Sequence, residues 1–108
     1  AVDLDNNKLY FSKNGTFQNS GDPTSGASGT GAISINPVSS TGLGAYFIAS
    51  SSASSTPTGH TINYNFGQDG TFAGNVTAGG NSDANGVGNF KYSVPSGYLA
   101  LCTKNLGS

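Results

Sequence analysis

At 108 residues, with 34% hydrophobic content and a formal charge of -1, the chain is long enough for one small domain, spanning 1–108, and too short for two. Only 8% of its residues are charged, against about a quarter in ordinary soluble domains, which excludes a basic field for nucleic acid. No run approaches the roughly 18 apolar residues of a membrane span.

In chain order, the opening reads as a β-meander. A two-residue turn at Asn6-Asn7 sets Asp5 opposite Lys8, Leu4 opposite Leu9 and Val2 opposite Phe11. That register sorts Val2, Leu4, Leu9 and Phe11 to a core face, and Asp3, Asp5, Lys8 and Tyr10 to the other. At the next turn, a three-residue loop Lys13-Asn14-Gly15 with Gly15 left-handed brings Phe11 opposite Phe17, where a two-residue loop would separate them.

Residues 19–31 are almost all Gly, Ser, Thr, Asp and Pro and read as a long exposed loop. Ile33 and Ile35 alternate with Ser34, and residues 46–49 make a second short apolar run. The Ser-rich stretch 50–59 reads as another loop. Strict alternation returns in Ile62, Tyr64 and Phe66, and again in Phe90, Tyr92 and Val94. After the turn Pro95-Ser96-Gly97, residues 98–102 form a last apolar strand. With no segment at helical spacing between a cap and a stop, the expectation is all-β. It is an antiparallel β-sandwich or jelly-roll-like pair of sheets with little or no helix.

Three blocks carry a family resemblance: Asp3-Leu4-Asp5-Asn6-Asn7-Lys8-Leu9-Tyr10-Phe11-Ser12-Lys13-Asn14-Gly15-Thr16-Phe17, then Asn65-Phe66-Gly67-Gln68, then Pro95-Ser96-Gly97-Tyr98-Leu99-Ala100-Leu101-Cys102-Thr103-Lys104-Asn105-Leu106. In this order they resemble the later half of a SPRY domain, in the version found in virion proteins of tailed bacteriophages. The resemblance implies a bent sandwich of two antiparallel sheets and a binding role without catalytic residues. The family has further strands before the first hairpin. The chain is therefore expected to be a fragment of a longer virion protein, or to receive those strands from another copy or partner. Residues 72–88 stand as an insertion relative to short members.

The sharpest local motif is Asn81-Ser82-Asp83-Ala84-Asn85-Gly86, whose alternating oxygen side chains before a Gly match the opening of a calcium loop. Position one is Asn, and Tyr92 stands where a bidentate Glu would close the loop, so an Asn/Gly-rich turn is the favoured reading. Asp3 and Asp5 share a strand face beside Lys8, which suits a hairpin better than a glycosidase pair in a cleft. His60 sits at a loop edge without a neighbouring acid or nucleophile, and the single Cys102 reads as a small buried hydrophobe.

The functional expectation is a non-enzymatic display and binding module of a phage virion, on a tail fibre, tail or capsid appendage, hence extracellular. Its polar loops would contact a host-surface ligand, a glycan before a protein, with Asn81, Asp83, Asn85 and Asp22 as binding residues; no cofactor is expected, calcium at Asn81, Asp83 and Asn85 being the weaker alternative. Neither nucleic acid nor membrane insertion is expected. The alternative is a purely structural virion component that packs by sheet edges against copies of itself or neighbouring virion proteins. An exposed apolar face discriminates the two in favour of the second.

Overall fold

The chain is described by a computed structural model covering residues 1–51, 53 and 59–107. Among these residues the regular structure is short antiparallel strands and 3-10 turns, with no α-helix. The strands are β1 (Val2–Asp3), β2 (Lys8–Leu9), β3 (Ser12–Lys13), β4 (Thr16–Phe17) and β5 (Ile33–Ser34). One sheet has the order β1-β2-β5, and β3 pairs with β4 in the other. No helix of the described residues is long and apolar enough to cross a membrane.

The first hairpin departs from the expected register. Val2 faces Leu9 and Asp3 faces Lys8, so four residues, not two, connect the strands. Asp3 accounts for the longer loop: its Oδ1 accepts the Asn6 backbone N–H at 3.0 Å and its Oδ2 accepts the Asn6 side-chain amide at 2.8 Å. A carboxylate at a turn start holds the backbone in this way in competition with a tighter turn. Asn7 closes the loop at a φ of 56°.

The second hairpin is corrected in the opposite sense. Ser12 faces Phe17 and Lys13 faces Thr16, leaving Asn14-Gly15 as a two-residue loop with both φ angles positive, 51° and 81°. Such a turn matches the twist of the strands it joins. Gly15 is left-handed as expected. The objection to this turn, that it separates Phe11 from Phe17, dissolves because Phe11 is not a core residue: it is 59% exposed.

Tyr10 takes the core position instead, at 3% exposure. Its ring meets the Phe17 ring edge to face, with centroids 6.4 Å apart and planes at 80°. The polar segment 19–31, expected as an exposed loop, folds back over it. Pro23 is buried there, and the Ser25 hydroxyl bonds to the Tyr10 hydroxyl at 3.3 Å. Asp22 starts the 3-10 turn Pro23–Ser28 by accepting the Thr24 N–H at 2.9 Å and the Thr24 hydroxyl at 2.6 Å. That is the ordinary use of Asp at a cap.

Four further strands expected from alternation or from short apolar runs do not form ladders. Residues 46–49, 62–66 and 98–102 are in no sheet, and Phe90 makes one isolated bridge, to Asn81. Side chains have taken the backbone groups that a neighbouring strand would need. Gln68 accepts from the Phe66 N–H at 2.7 Å and donates to the Tyr64 carbonyl at 2.8 Å. Asn65 accepts from the Gly67 and Asp69 N–H groups. Of the Ser-rich stretch 50–59, residues 52 and 54–58 lie outside the described residues.

A Cβ at Gly15 would stand 2.6 Å from Cδ1 of Tyr92 as well as occupying a positive φ. Gly15→Val should therefore cost about 1 kcal/mol or more, read as a Tm lowered by about 4–8 °C per kcal/mol. Gly15→Asn should cost less, because Asn tolerates the left-handed region. An unchanged Tm for the Val variant contradicts the turn.

Candidate functional site

The chain has two candidate sites: the oxygen-rich loop 81–86, and a groove beside the first hairpin. In the first, Asp83 is 6% exposed and both its oxygens are engaged. Oδ1 accepts the backbone N–H groups of Asn85 and Val87, each at 2.9 Å. Oδ2 accepts the Ala100 N–H at 2.8 Å and the Asn105 side-chain amide at 2.7 Å. Asn105 donates as well to the Ala100 carbonyl at 2.9 Å. One carboxylate thus closes its own turn and ties it to the chain's last segment.

The flanking Asn residues point elsewhere. Asn81 donates its amide to the Phe90 and Lys91 carbonyls at 3.3 and 3.2 Å, extending the isolated bridge. Asn85 donates to Oδ1 of Asn105 at 3.0 Å. The Asn81 and Asn85 amides are engaged with backbone carbonyls and with Asn105, and the lone pairs of Asp83 are directed at N–H donors. Calcium coordination needs six to eight oxygens around one centre. No group of three His, Cys, Asp or Glu side chains able to hold a metal occurs among the described residues. Hydrogen bonds from the Gly86 N–H to the Asp83 carbonyl and from the Asp83 N–H to the Val87 carbonyl close a turn here. Asp22, also named for binding, serves its own Pro23–Ser28 turn. His60 is exposed, and Cys102 is half-buried rather than fully buried.

Burial works to raise the Asp83 pKa, but the N–H groups of Ala100 and Val87, the Asn105 amide and the Asn85 N–H outweigh it. The carboxyl is held below its ordinary value. Asp3, Asp22 and Asp69 are likewise held low, each chiefly by a side-chain hydrogen bond, from Asn6, Thr24 and Thr71 respectively. Four of the five acidic residues thus act on local backbone, and Asp5 is the remaining one.

The second place is an open groove of about 600 Å³. Its walls come from the first hairpin loop (Asp3, Asp5, Asn6), the start of the Pro23–Ser28 turn, and the turn that carries Tyr98. Tyr98 donates its hydroxyl to the Pro23 carbonyl at 2.9 Å, joining two of the walls across 75 positions of sequence. Burial, reinforced by the charge of Asp3, pushes the Tyr98 hydroxyl above its ordinary value, so it stays a protonated donor at neutral pH. Sequence reasoning placed Asp3 and Asp5 on a hairpin and Tyr98 in a strand. Nothing in their spacing announced that the 19–31 segment would fold between them.

No protein-family model, characterised protein or solved structure matches the chain.

Asp83 makes a signed prediction about pH. Its folded pKa lies below its unfolded value of about 3.9, so its contribution is fully present above that value and is lost as pH falls through the folded pKa. Asp83→Asn should lower Tm at neutral pH and flatten the acid limb of the Tm profile. Parallel acid limbs for wild type and Asp83→Asn would contradict the clamp.

Proposed function

We propose that this chain is a structural assembly module of a tailed-phage virion protein, non-enzymatic and extracellular, contributing to an antiparallel β-sandwich of the SPRY type. One observation carries this reading: the apolar residues are not covered. Among the described residues the buried hydrophobic side chains are Tyr10 and Ala100, while Leu43 is 77% exposed, Phe47 74% and Leu106 69%. The accessible surface is 7469 Å², where a compact domain of 10.8 kDa exposes about 5,500 Å². Large apolar side chains left exposed in this number mark an interaction face.

In this reading the unladdered apolar segments supply the sandwich's further strands once neighbouring virion protein or another copy covers them. Near-neutral charge suits close packing of many copies, since little repulsion has to be overcome. The same exposed faces argue against a free-standing display module that needs no partner for its core.

A second reading has its own support. The groove between Asp5, Asn6 and Tyr98 combines carboxylate and amide acceptors with an aromatic ring, a mixture that fits the hydroxyls and apolar faces of a host-surface glycan. Assembly and recognition are compatible, because the groove does not use the exposed segments around Phe47 and Tyr64.

The assembly reading is tested by titrating the chain with the apolar-surface dye ANS. Strong fluorescence in dilute solution is expected, and absence of dye binding at every concentration overturns the reading. For the groove, Asp5→Ala should weaken binding to a responding glycan on an array about tenfold, the effect of removing one charged hydrogen bond. Equal binding by wild type and variant removes Asp5 from the site.

A further inference from the structure

The Tyr98 wall of the groove is held from outside the groove. Its chain neighbours Ser96, Gly97 and Leu99 are exposed, and Gly97 turns at a φ of 86° with open space where a Cβ would stand. Packing at these positions therefore does little to fix Tyr98. Beyond the local turn bond from its N–H to the Pro95 carbonyl at 3.1 Å, two anchors do. Its hydroxyl donates to the Pro23 carbonyl at 2.9 Å. Two residues on, the Ala100 N–H donates to the Asp83 carboxylate at 2.8 Å.

The second anchor is the stronger of the two. Ala100 is 5% exposed and Asp83 6%. Asn105 bridges them, donating to Oδ2 of Asp83 at 2.7 Å and to the Ala100 carbonyl at 2.9 Å. The other carboxylate oxygen closes the turn to Asn85 and Val87, so Ala100 is tied to a turn that Asp83 itself holds shut. Hydrogen bonds to an ionised acceptor are about twice as strong as neutral ones, whereas the Tyr98 hydroxyl makes one neutral bond at the rim of an open groove. Neither Asp83 nor Asn105 is among the groove's lining residues.

We infer that Asp83, assisted by Asn105, is a positioning residue for the groove: by fixing Ala100 it sets where Tyr98 and Leu99 stand against the first hairpin loop and Pro23. The inference rests on the groove reading above and adds the residues that shape that site from behind. The link is covalent and short. Two residues span at most about 7 Å of chain, so a displacement at Ala100 is passed to Tyr98 and not absorbed by a loop. Coupling of this kind is reciprocal. Loss of the Tyr98 bond loosens the Ala100 N–H, as loss of the clamp frees Tyr98.

The test needs no ligand. NMR follows the Tyr98 hydroxyl titration in wild type, Asp83→Asn and the control Asp69→Asn, whose carboxylate holds the Thr71 and Ala73 N–H groups instead. Burial and the charge of Asp3 keep the Tyr98 hydroxyl above its ordinary value in the wild type. The expected result is a fall toward about 10 in Asp83→Asn and none in Asp69→Asn. Should Asp83→Asn fail to fold, the reverse direction decides. Tyr98→Phe is expected to speed exchange of the Ala100 and Val87 amides about threefold or more, leaving those of Thr71 and Ala73 unchanged. A Tyr98 titration equal in wild type and Asp83→Asn, or moved equally by Asp69→Asn, overturns the inference, as does Ala100 exchange unaltered by Tyr98→Phe. A coupled Tyr98 in a chain that binds no glycan on the array overturns the glycan reading alone and leaves the positioning intact.

Discussion

The carboxylate of Asp83 is the contact on which the rest of the fold depends. It is nearly buried, and it satisfies three backbone N–H groups and one side-chain amide from two stretches of chain far apart in sequence. A buried N–H without a partner is costly, and a buried carboxylate without donors costs more. Here each solves the other's problem. Ala100, whose N–H the carboxylate holds, is one of the buried hydrophobic residues, so the polar clamp also positions the small apolar contact beside it.

The same device recurs at lower burial. Asp3 shapes the first hairpin loop, Asp22 starts the turn that covers Tyr10, and Asp69 gathers the N–H groups of Thr71 and Ala73. Asn65, Gln68 and Asn81 do for carbonyl and N–H groups what these carboxylates do for N–H groups alone. A chain with little apolar content can hold irregular backbone in place by this means, because each short polar side chain replaces a ladder bond locally. The consequence is that apolar residues are released from the interior. They collect on the outside, as Leu43, Phe47 and Leu106 do.

How much of this was legible in the sequence differs from residue to residue. The absence of α-helix among the described residues and the left-handed Gly15 followed directly from pattern and turn chemistry. The 81–86 motif was legible as a turn, since Asn and Asp close turns on their own, but its tie to Ala100 and Asn105 was not, because no local spacing encodes a contact across that distance. Tyr10 rather than Phe11 became the buried aromatic because a segment without apolar periodicity carries Pro23 and Ser25 to the Tyr10 side. Alternation at 62–66 pointed to a strand, and these residues are in no sheet. It could not show that Asn65 and Gln68 would occupy the backbone groups a ladder requires. In the candidate groove, Asp3 and Asp5 were visible as a pair, while the wall that makes them part of a cleft comes from the 19–31 segment.

Amide hydrogen exchange on the chain in dilute solution tests this account most directly. If polar clamps hold the fold while the exposed apolar segments stand open, the amides of Val87 and Ala100 exchange slowly and those of Phe47, Ile48, Ile62 and Asn63 exchange fast. Slow exchange at 46–48 and 62–63 with fast exchange at Ala100 would contradict it, because the apolar segments would then form the protected core and Asp83 would hold nothing together.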